Sequence, residues 1–415
     1  GFEPNSKVEK TMITIANKEN CTGCYACANI CPKGCISMET DQEGFWYPEV
    51  DYSQCIECGR CIKVCPIIQI PLQGRNERNE PLAYGCYNKN ESVRLESSSG
   101  GLFTLIAEEV IGVGGVVFGA RFDDKFNVIH DHAESLDDLD LFRGSKYVQS
   151  SIGTSYEKAR EFLREGRLVL FTGTPCQIGG LKYYLGRDYD NLLCQDIVCH
   201  GVPSPRVWQK YVAYREERAG APARRISFRR KKEGWKKYSV SFFFENNTEY
   251  VQIHSKDLYM QAFLKDICLR PSCHACHFKT INRHSDLTLA DFWGIQNIAP
   301  ELDDDKGTSF VIVHSEKGHK LLERIKDEVV AQEVDVWDGA KYNSAMVKSV
   351  AKHPKREEFF AALDHEDIDS LITRLCRDKL TVRIRRKLIS GTRFVLEKLG
   401  LLEFAKTVLR RSGST

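Results

Sequence analysis

Residues 21–32 read CTGCYACANICP, and residues 55–66 read CIECGRCIKVCP. Each is C-x2-C-x2-C-x3-C-P, the spacing with which a chain wraps a 4Fe-4S cube. Three closely spaced thiolates grip one cube, and the fourth, one helical turn on, points across to the other. Cluster one then takes Cys21, Cys24, Cys27 and Cys65, and cluster two takes Cys55, Cys58, Cys61 and Cys31. Gly23 and Gly59 give the backbone freedom beside them, and Pro32 and Pro66 end each turn of chain. A pair of four-cysteine zinc sites is the competing reading; the doubling and the trailing proline argue against it. Cys35 has no ligand slot and reads as a small buried filler. Met12–Ile15 and Gly44–Val50 read as the short strands framing this module.

The doubled run is that of bacterial-type ferredoxins, so residues 1–70 are expected to form an α+β domain that passes electrons singly. The remaining length of the 415-residue chain allows one to three further domains. Lys plus Arg number 59 against 57 Asp plus Glu, a formal charge of +2, so no nucleic-acid footprint is expected. Hydrophobic residues at 42% and charged residues at 28% describe an ordinary globular chain. The most apolar stretch, Leu102–Ala120, is broken by Glu108 and Glu109, so no membrane span is expected. No apolar signal region opens the chain, and the expected location is cytoplasmic. Seventeen cysteines are too dilute for a disulfide scaffold, and nine lie within the first 65 residues, as metal binding requires.

Residues 71–81, PLQGRNERNEP, are polar, charged and bounded by prolines, the composition of a linker. The body then alternates apolar runs with helix-like stretches, an α/β pattern. Gly100–Ile111 reads as a helix and Gly115–Ala120 as a strand. Leu168–Phe171 and Leu192–Val198 read as strands, each leading through a Thr-Pro or Ser-Pro start into a helix. Such corners line the carboxyl edge of a sheet, where cofactors settle. GTPCQIGG, from Gly173, lacks the spacing of a phosphate loop, and local pattern leaves nucleotide binding open.

A third cysteine group, CLRPSCHAC at 268–276, offers three thiolates as C-x4-C-x2-C. Cys199 is the first choice for a fourth ligand, then Cys176, then His274. Arg270, Lys279 and Arg283 offset the charge of a four-thiolate cluster; zinc is the alternative here too. Cys176, at a helix start, reads as a ligand, a redox-active thiol or, the favoured reading, a small residue packed under a cofactor. Cys86, Cys194 and Cys376 read as core residues.

The repeat followed by SSSGGLF, GSKYVQS, FTGTPCQIGGL, DIVCHGVPSP, RPSCHACHFK and SDLTLADFWG resembles the beta-subunit family of coenzyme F420 hydrogenases and dehydrogenases. The resemblance runs from about Pro81 to about Val350. It implies an FAD-binding α/β core, taken as residues 82–165 and 166–345, with its own 4Fe-4S cluster. Carried over by motif, Ser98, Ser99, Gly100, Gly101, Lys146, Tyr147, Gln149, Thr172, Gly173, Thr174 and Gln177 would contact the flavin. The third cluster would use Cys199, Cys268, Cys273 and Cys276. The implied activity is an FAD- and 4Fe-4S-dependent oxidoreductase. Electrons would pass between a ferredoxin or electron-donating subunit and a two-electron small-molecule acceptor. The alternative is an electron-transfer subunit whose chemistry lies on a partner. His200, Lys146 and Cys176 are the candidate catalytic residues: His200 for proton transfer, Lys146 for stabilising negative charge. Asp286 and Asp291 read as structural supports of the cysteine loop.

Residues 346–415 read as a helical, basic tail. From Arg374 onward it carries twelve Lys or Arg, with apolar residues at helical spacing through Leu380, Val382, Ile384 and Leu388. A hairpin packed on the body accounts for this; contact with anionic lipid or a partner is the alternative.

Overall fold

The computed structural model describes residues 12–73 and 81–377. In the N-terminal module Ile36–Thr40 (β1) pairs antiparallel with Trp46–Val50 (β2). Asp41 Oδ1 closes the hairpin by accepting from the Glu43 and Phe45 amides, and Gly44 takes the turn's positive φ of 86°. That local turn makes β1 the partner of β2. Met12–Ile15, expected as a strand, joins no ladder, and Ile13 is buried with Cys35, Ile36 and Cys61.

Leu82–Asn88 (β3), Val116–Phe122 (β4), Val128–Ala133 (β5), Val169–Gly173 (β6) and Leu192–Ile197 (β7) open the main sheet. Ala223–Arg230 (β8), Ser239–Phe244 (β9) and Glu249–Ile253 (β10) form a separate antiparallel sheet. Leu287–Asp291 (β11), Ser309–Val313 (β12) and Val329–Val334 (β13) complete the main one, in the order β13-β3-β12-β11-β7-β6-β4-β5. Strands β4, β6, β7 and β11 run parallel at its centre. Val116–Phe118, Val169–Phe171 and Leu192–Cys194 are apolar on both faces, as a parallel sheet covered twice requires. Alternation sorts the side chains. Val117, Leu170 and Leu193 face the helix Leu102–Gly112, whereas Phe118, Phe171 and Cys194 face the helices Ser155–Arg164 and Pro175–Leu185.

The N-terminal module shares that second layer: Cys24, Tyr25, Ala26 and Val64 are buried with Phe118, Phe171, Ile178 and Leu181. Its close approach explains the paired glycines of GTPCQIGG. A Cβ on Gly180 would lie 3.0 Å from Cys24 Cβ, and one on Gly179 2.7 Å from the Phe278 ring. These glycines serve helix packing, not a phosphate. At the hairpin tip, buried Arg356 makes two bonds to the Glu43 carboxylate, at 2.8 and 2.5 Å.

Both corner helices start as read. Gln177 Oε1 accepts from the Thr174 amide (2.9 Å), and Ser204 Oγ accepts from the Val207 amide (3.3 Å) to open Pro205–Ala219. Cys86, Cys194 and Cys376 are core residues. At the C-terminal end, Arg356–Ala362 and Ile368–Cys376 bury Phe359, Leu371 and Leu375 against the smaller sheet. The basic segment from Leu380 lies outside the described residues, as do residues 74–80 of the linker. No described helix is long and apolar enough to cross a membrane.

Candidate functional site

Cys21, Cys24, Cys27 and Cys65 ring a cavity of about 350 Å³ whose other walls include Ile13, Ile15, Met38, Pro48 and Ile67. Gly23 has φ +65°, and a Cβ there would lie 2.7 Å from Gln149 Nε2 and 2.9 Å from an Arg270 guanidinium nitrogen. Only glycine fits. Burial pushes the Cys24 thiol up to about 12, and Cys27 is raised by burial and by its thiol neighbours. Four thiolates in a dry pocket repel one another unless bound cations compensate them. An iron-sulfur cube supplies those cations, so this donor set fits it.

The second motif builds a like cavity of about 350 Å³ from Cys31, Cys55, Cys58 and Cys61, with Cys35 also on its wall. Cys58 is exposed, so this cavity opens towards solvent. Among the described residues no three His, Cys, Asp or Glu converge on one ion-sized point; the thiols stand around cavities instead.

A third cavity, about 460 Å³, is lined by Cys176, Cys199, Cys273 and Cys276. Adjacent parallel strands create it. β6 and β7 pair with Gly173 opposite Asp196, so the loops beyond them deliver Cys176 and Cys199 side by side. The short helix Pro271–Ala275 brings Cys273, whose Sγ accepts from the Val202 amide at 3.4 Å. This corrects the expected set. Cys268 lies fully buried in the apolar cluster of Trp208, Tyr259 and Phe263, because the bridge between Pro203 and Leu269 turns Leu269 onto Gly201 instead. Cys176 stands on the cavity wall in its place. His274 does not line the cavity; its Nδ1 faces the Val350 carbonyl at 3.3 Å.

The expected cations are here. Lys279 Nζ donates to the Cys199 carbonyl, and Arg283 pairs with buried Asp196 at 3.6 Å. Arg270, fully buried, reaches from the third cavity to the first. It donates to the Cys21 carbonyl (2.9 Å), the Cys21 Sγ (3.6 Å), the Trp46 carbonyl (2.9 Å) and Gln149 Oε1 (3.1 Å). Thr22 lines both cavities. The cavities therefore abut, a fact with no signal in local sequence.

His200 lines the third cavity and is held by Asp266 Oδ1 at 2.6 Å. Asp266 was not among the expected residues; it sits in a left-handed conformation (φ 61°) after the helix Leu258–Leu264, a position no motif marks. Asp286 accepts from the Cys194 amide and Ser315 Oγ, and Asp291 pairs with Arg229, so both brace strands and not the cysteine loop.

The expected flavin residues divide. Ser98, Ser99, Lys146, Tyr147, Thr172, Gly173 and Thr174 are half-buried. They are joined by hydrogen bonds: Ser98 Oγ accepts from the Ser145 amide, and Arg229 donates to the Ser98 carbonyl and Tyr147 Oη. Arg229 Nε is buried with no protein partner, which suits a polar cofactor nearby. Gly100 and Gly101 are instead packed on the Cys86 carbonyl and on Arg94, and Gln149 and Gln177 are buried in protein contacts. Lys146 Nζ donates to the carbonyls of Leu141, Phe142 and Arg143, using all three protons, so its observed role is to hold that turn. Beneath it, His130 bonds the Thr172 carbonyl and Ser150, and burial pushes it down to about 4 from 6.5. The unfolded chain thus takes up a proton below 6.5 that folded His130 refuses until about 4, and stability falls with pH through that window. At about pH 5.5 the loss is about 1.4 kcal/mol; His130→Asn should remove it from the pH dependence of the denaturant midpoint.

Residues 166–337 match the family model for the C-terminal region of the beta subunit of coenzyme F420 hydrogenase/dehydrogenase, and residues 20–67 match a "4Fe-4S dicluster domain". NADH-quinone oxidoreductase subunit I 2 of Geobacter metallireducens is 34% identical over 79 residues, 18% of this chain and 60% of that protein. Pyruvate synthase subunit PorD of Methanothermobacter marburgensis is 33% identical over 64 residues, 15% of this chain and 69% of that protein. The chain spans only 60% and 31% of the two NADH-quinone oxidoreductase relatives. A chain of the F420-reducing NiFe hydrogenase complex from Methanosarcina barkeri aligns with 66% of this chain and 97% of its own length. Its TM-score is 0.42 at 14% identity, too low to carry an inference.

Proposed function

We infer from the matches over residues 166–337 and 20–67 that this chain is a member of the coenzyme F420 hydrogenase/dehydrogenase beta-subunit family with a 4Fe-4S dicluster domain ahead of that region. From that premise we propose that it passes electrons between its N-terminal sites and the third thiol cavity, and on to FAD and a two-electron small-molecule acceptor, in either direction. One observation carries the reading: Thr22 and Arg270 join the first and third cavities. Iron-sulfur cubes supply single-electron transfer, and a flavin couples single electrons to two-electron chemistry. The chain's own residues do the rest. Cys176, Cys199, Cys273 and Cys276 hold the third group, while Arg270, Lys279 and Arg283 lower the cost of negative charge there. Asp266 orients His200 to handle a proton at its ring nitrogen. Ser98, Ser99, Tyr147 and Thr172–Thr174 offer the polar edge for the flavin.

The test is iron, acid-labile sulfide and released flavin in the chain purified without oxygen, followed by flavin absorbance when reduced ferredoxin is added. About twelve irons, one FAD and bleaching of the flavin are expected. Absence of flavin after reconstitution would overturn the flavin arm. A second reading, a relay subunit with its chemistry on a partner, draws on the second cavity. There Cys58 is exposed and shares the cavity's rim with Ile56, itself 57% exposed, as a docking redox partner requires. The relatives named above are subunits of larger enzymes by name, which supports it. Steady turnover of the single chain with a small acceptor would exclude it.

A further inference from the structure

The second N-terminal cavity has one thiol too many. A cube needs four protein ligands, yet Cys31, Cys35, Cys55, Cys58 and Cys61 all line this wall. The first cavity, of the same volume, has four. The asymmetry lies four residues beyond the last cysteine of each motif. After Cys65 that position is Gln69, whose Nε2 donates away to the Ile62 carbonyl at 3.1 Å. After Cys31 it is Cys35. Gly34, with φ +60° and open space where a Cβ would sit, folds the chain back, its amide on the Cys31 carbonyl at 3.2 Å. Cys35 Sγ is thereby set 3.3 Å from Cys31 Sγ, 6% exposed, with its carbonyl pinned by the Asp51 amide at 2.8 Å. A filler needs no sulfur at the cavity wall.

We propose that Cys35 is a reserve ligand of the second site, replacing Cys31 when that thiolate is lost or blocked. The proposal rests on the reading that this cavity holds a 4Fe-4S cluster. In the exchange one iron–thiolate bond breaks and one forms. The thiol proton of Cys35 passes to the departing Cys31 thiolate, or to solvent water when that sulfur is blocked or absent, and no electron moves. Because Cys58 is exposed, this is the N-terminal site more open to solvent-borne oxidants, where a second thiol has most use.

The experiment compares Cys31→Ala, Cys35→Ala, the double variant and Cys65→Ala in the full chain, purified without oxygen, by iron content and by EPR of the reduced protein. Cys65, with no thiol four residues on, is the control and should lose about four irons. Cys35→Ala and Cys31→Ala should each keep the wild-type content. Cys31→Ala should shift the EPR signal of one cluster, and the double variant should lose about four irons. Loss of about four irons from Cys31→Ala alone, with Cys65→Ala behaving the same, overturns the reserve role and leaves the cluster reading intact. Equal iron in Cys31→Ala and the double variant also overturns it. A wild-type chain without iron or sulfide after reconstitution would instead overturn the cluster reading beneath it. Where Cys31→Ala fails to fold, alkylation settles the matter: Cys35 should be protected in iron-loaded Cys31→Ser and reactive in loaded wild type after brief urea exposure. Equal protection in both overturns the proposal.

Discussion

Cys176→Ala should lower the iron of the chain purified without oxygen from about twelve atoms to about eight, while Cys268→Ala leaves it at about twelve. The two cysteines are equally plausible by type, and the fold separates them. Cys176 shares a cavity wall with Cys199, Cys273 and Cys276, and its thiol is pushed up by burial and by those same neighbours. Cys268 is fully buried among Trp208, Tyr259 and Phe263. Removing its sulfur leaves a methyl-sized void costing about 1 kcal/mol. Cys268→Ala should therefore show full iron with a slightly lower denaturation midpoint. Loss of iron from Cys268→Ala, or its retention in Cys176→Ala, would overturn the ligand set.

Gly180→Leu should uncouple the N-terminal module from the body. Glycine inside a helix costs about 1 kcal/mol relative to good helix formers, so on propensity alone leucine is an improvement. Sterics oppose it. The new Cβ alone would lie 2.9 Å from Tyr156 Oη, 3.0 Å from Cys24 Cβ and 3.1 Å from Cys24 Sγ. Overpacking of that kind costs about 1–3 kcal/mol and is felt at the Cys24 ligand itself. The expected result is loss of about four irons, faster proteolysis of residues 12–73, and failure of electrons from reduced ferredoxin to reach the proposed flavin. Gly112→Ala is the control. It closes the helix Leu102–Gly112 with nothing within 4 Å of its Cβ, and should keep iron and electron transfer unchanged. Full iron and normal electron transfer in Gly180→Leu would show that the module does not dock through this helix.

The N-terminal sites were legible from the chain alone because their geometry is local. Three cysteines within seven residues, and a fourth one turn on, have little choice about what they surround. The corners at Thr174-Pro175 and Ser204-Pro205 were legible for the same reason, since a cap is a short-range bond. Reading failed where a contact depends on sheet order. Nothing between Cys176 and Cys199 says that β6 and β7 lie side by side and parallel, and that adjacency puts Cys176, not Cys268, on the wall of the third cavity. The flavin residues were read as a motif, yet packing decides that Gly100 and Gln149 face protein and that Lys146 spends its protons on three carbonyls. The chain by itself thus determined which thiols stand around the two N-terminal cavities, Cys35 excepted. Only the tertiary structure put Thr22 and Arg270 between the first site and the third, because residues far apart in sequence meet where strand register and helix packing bring them.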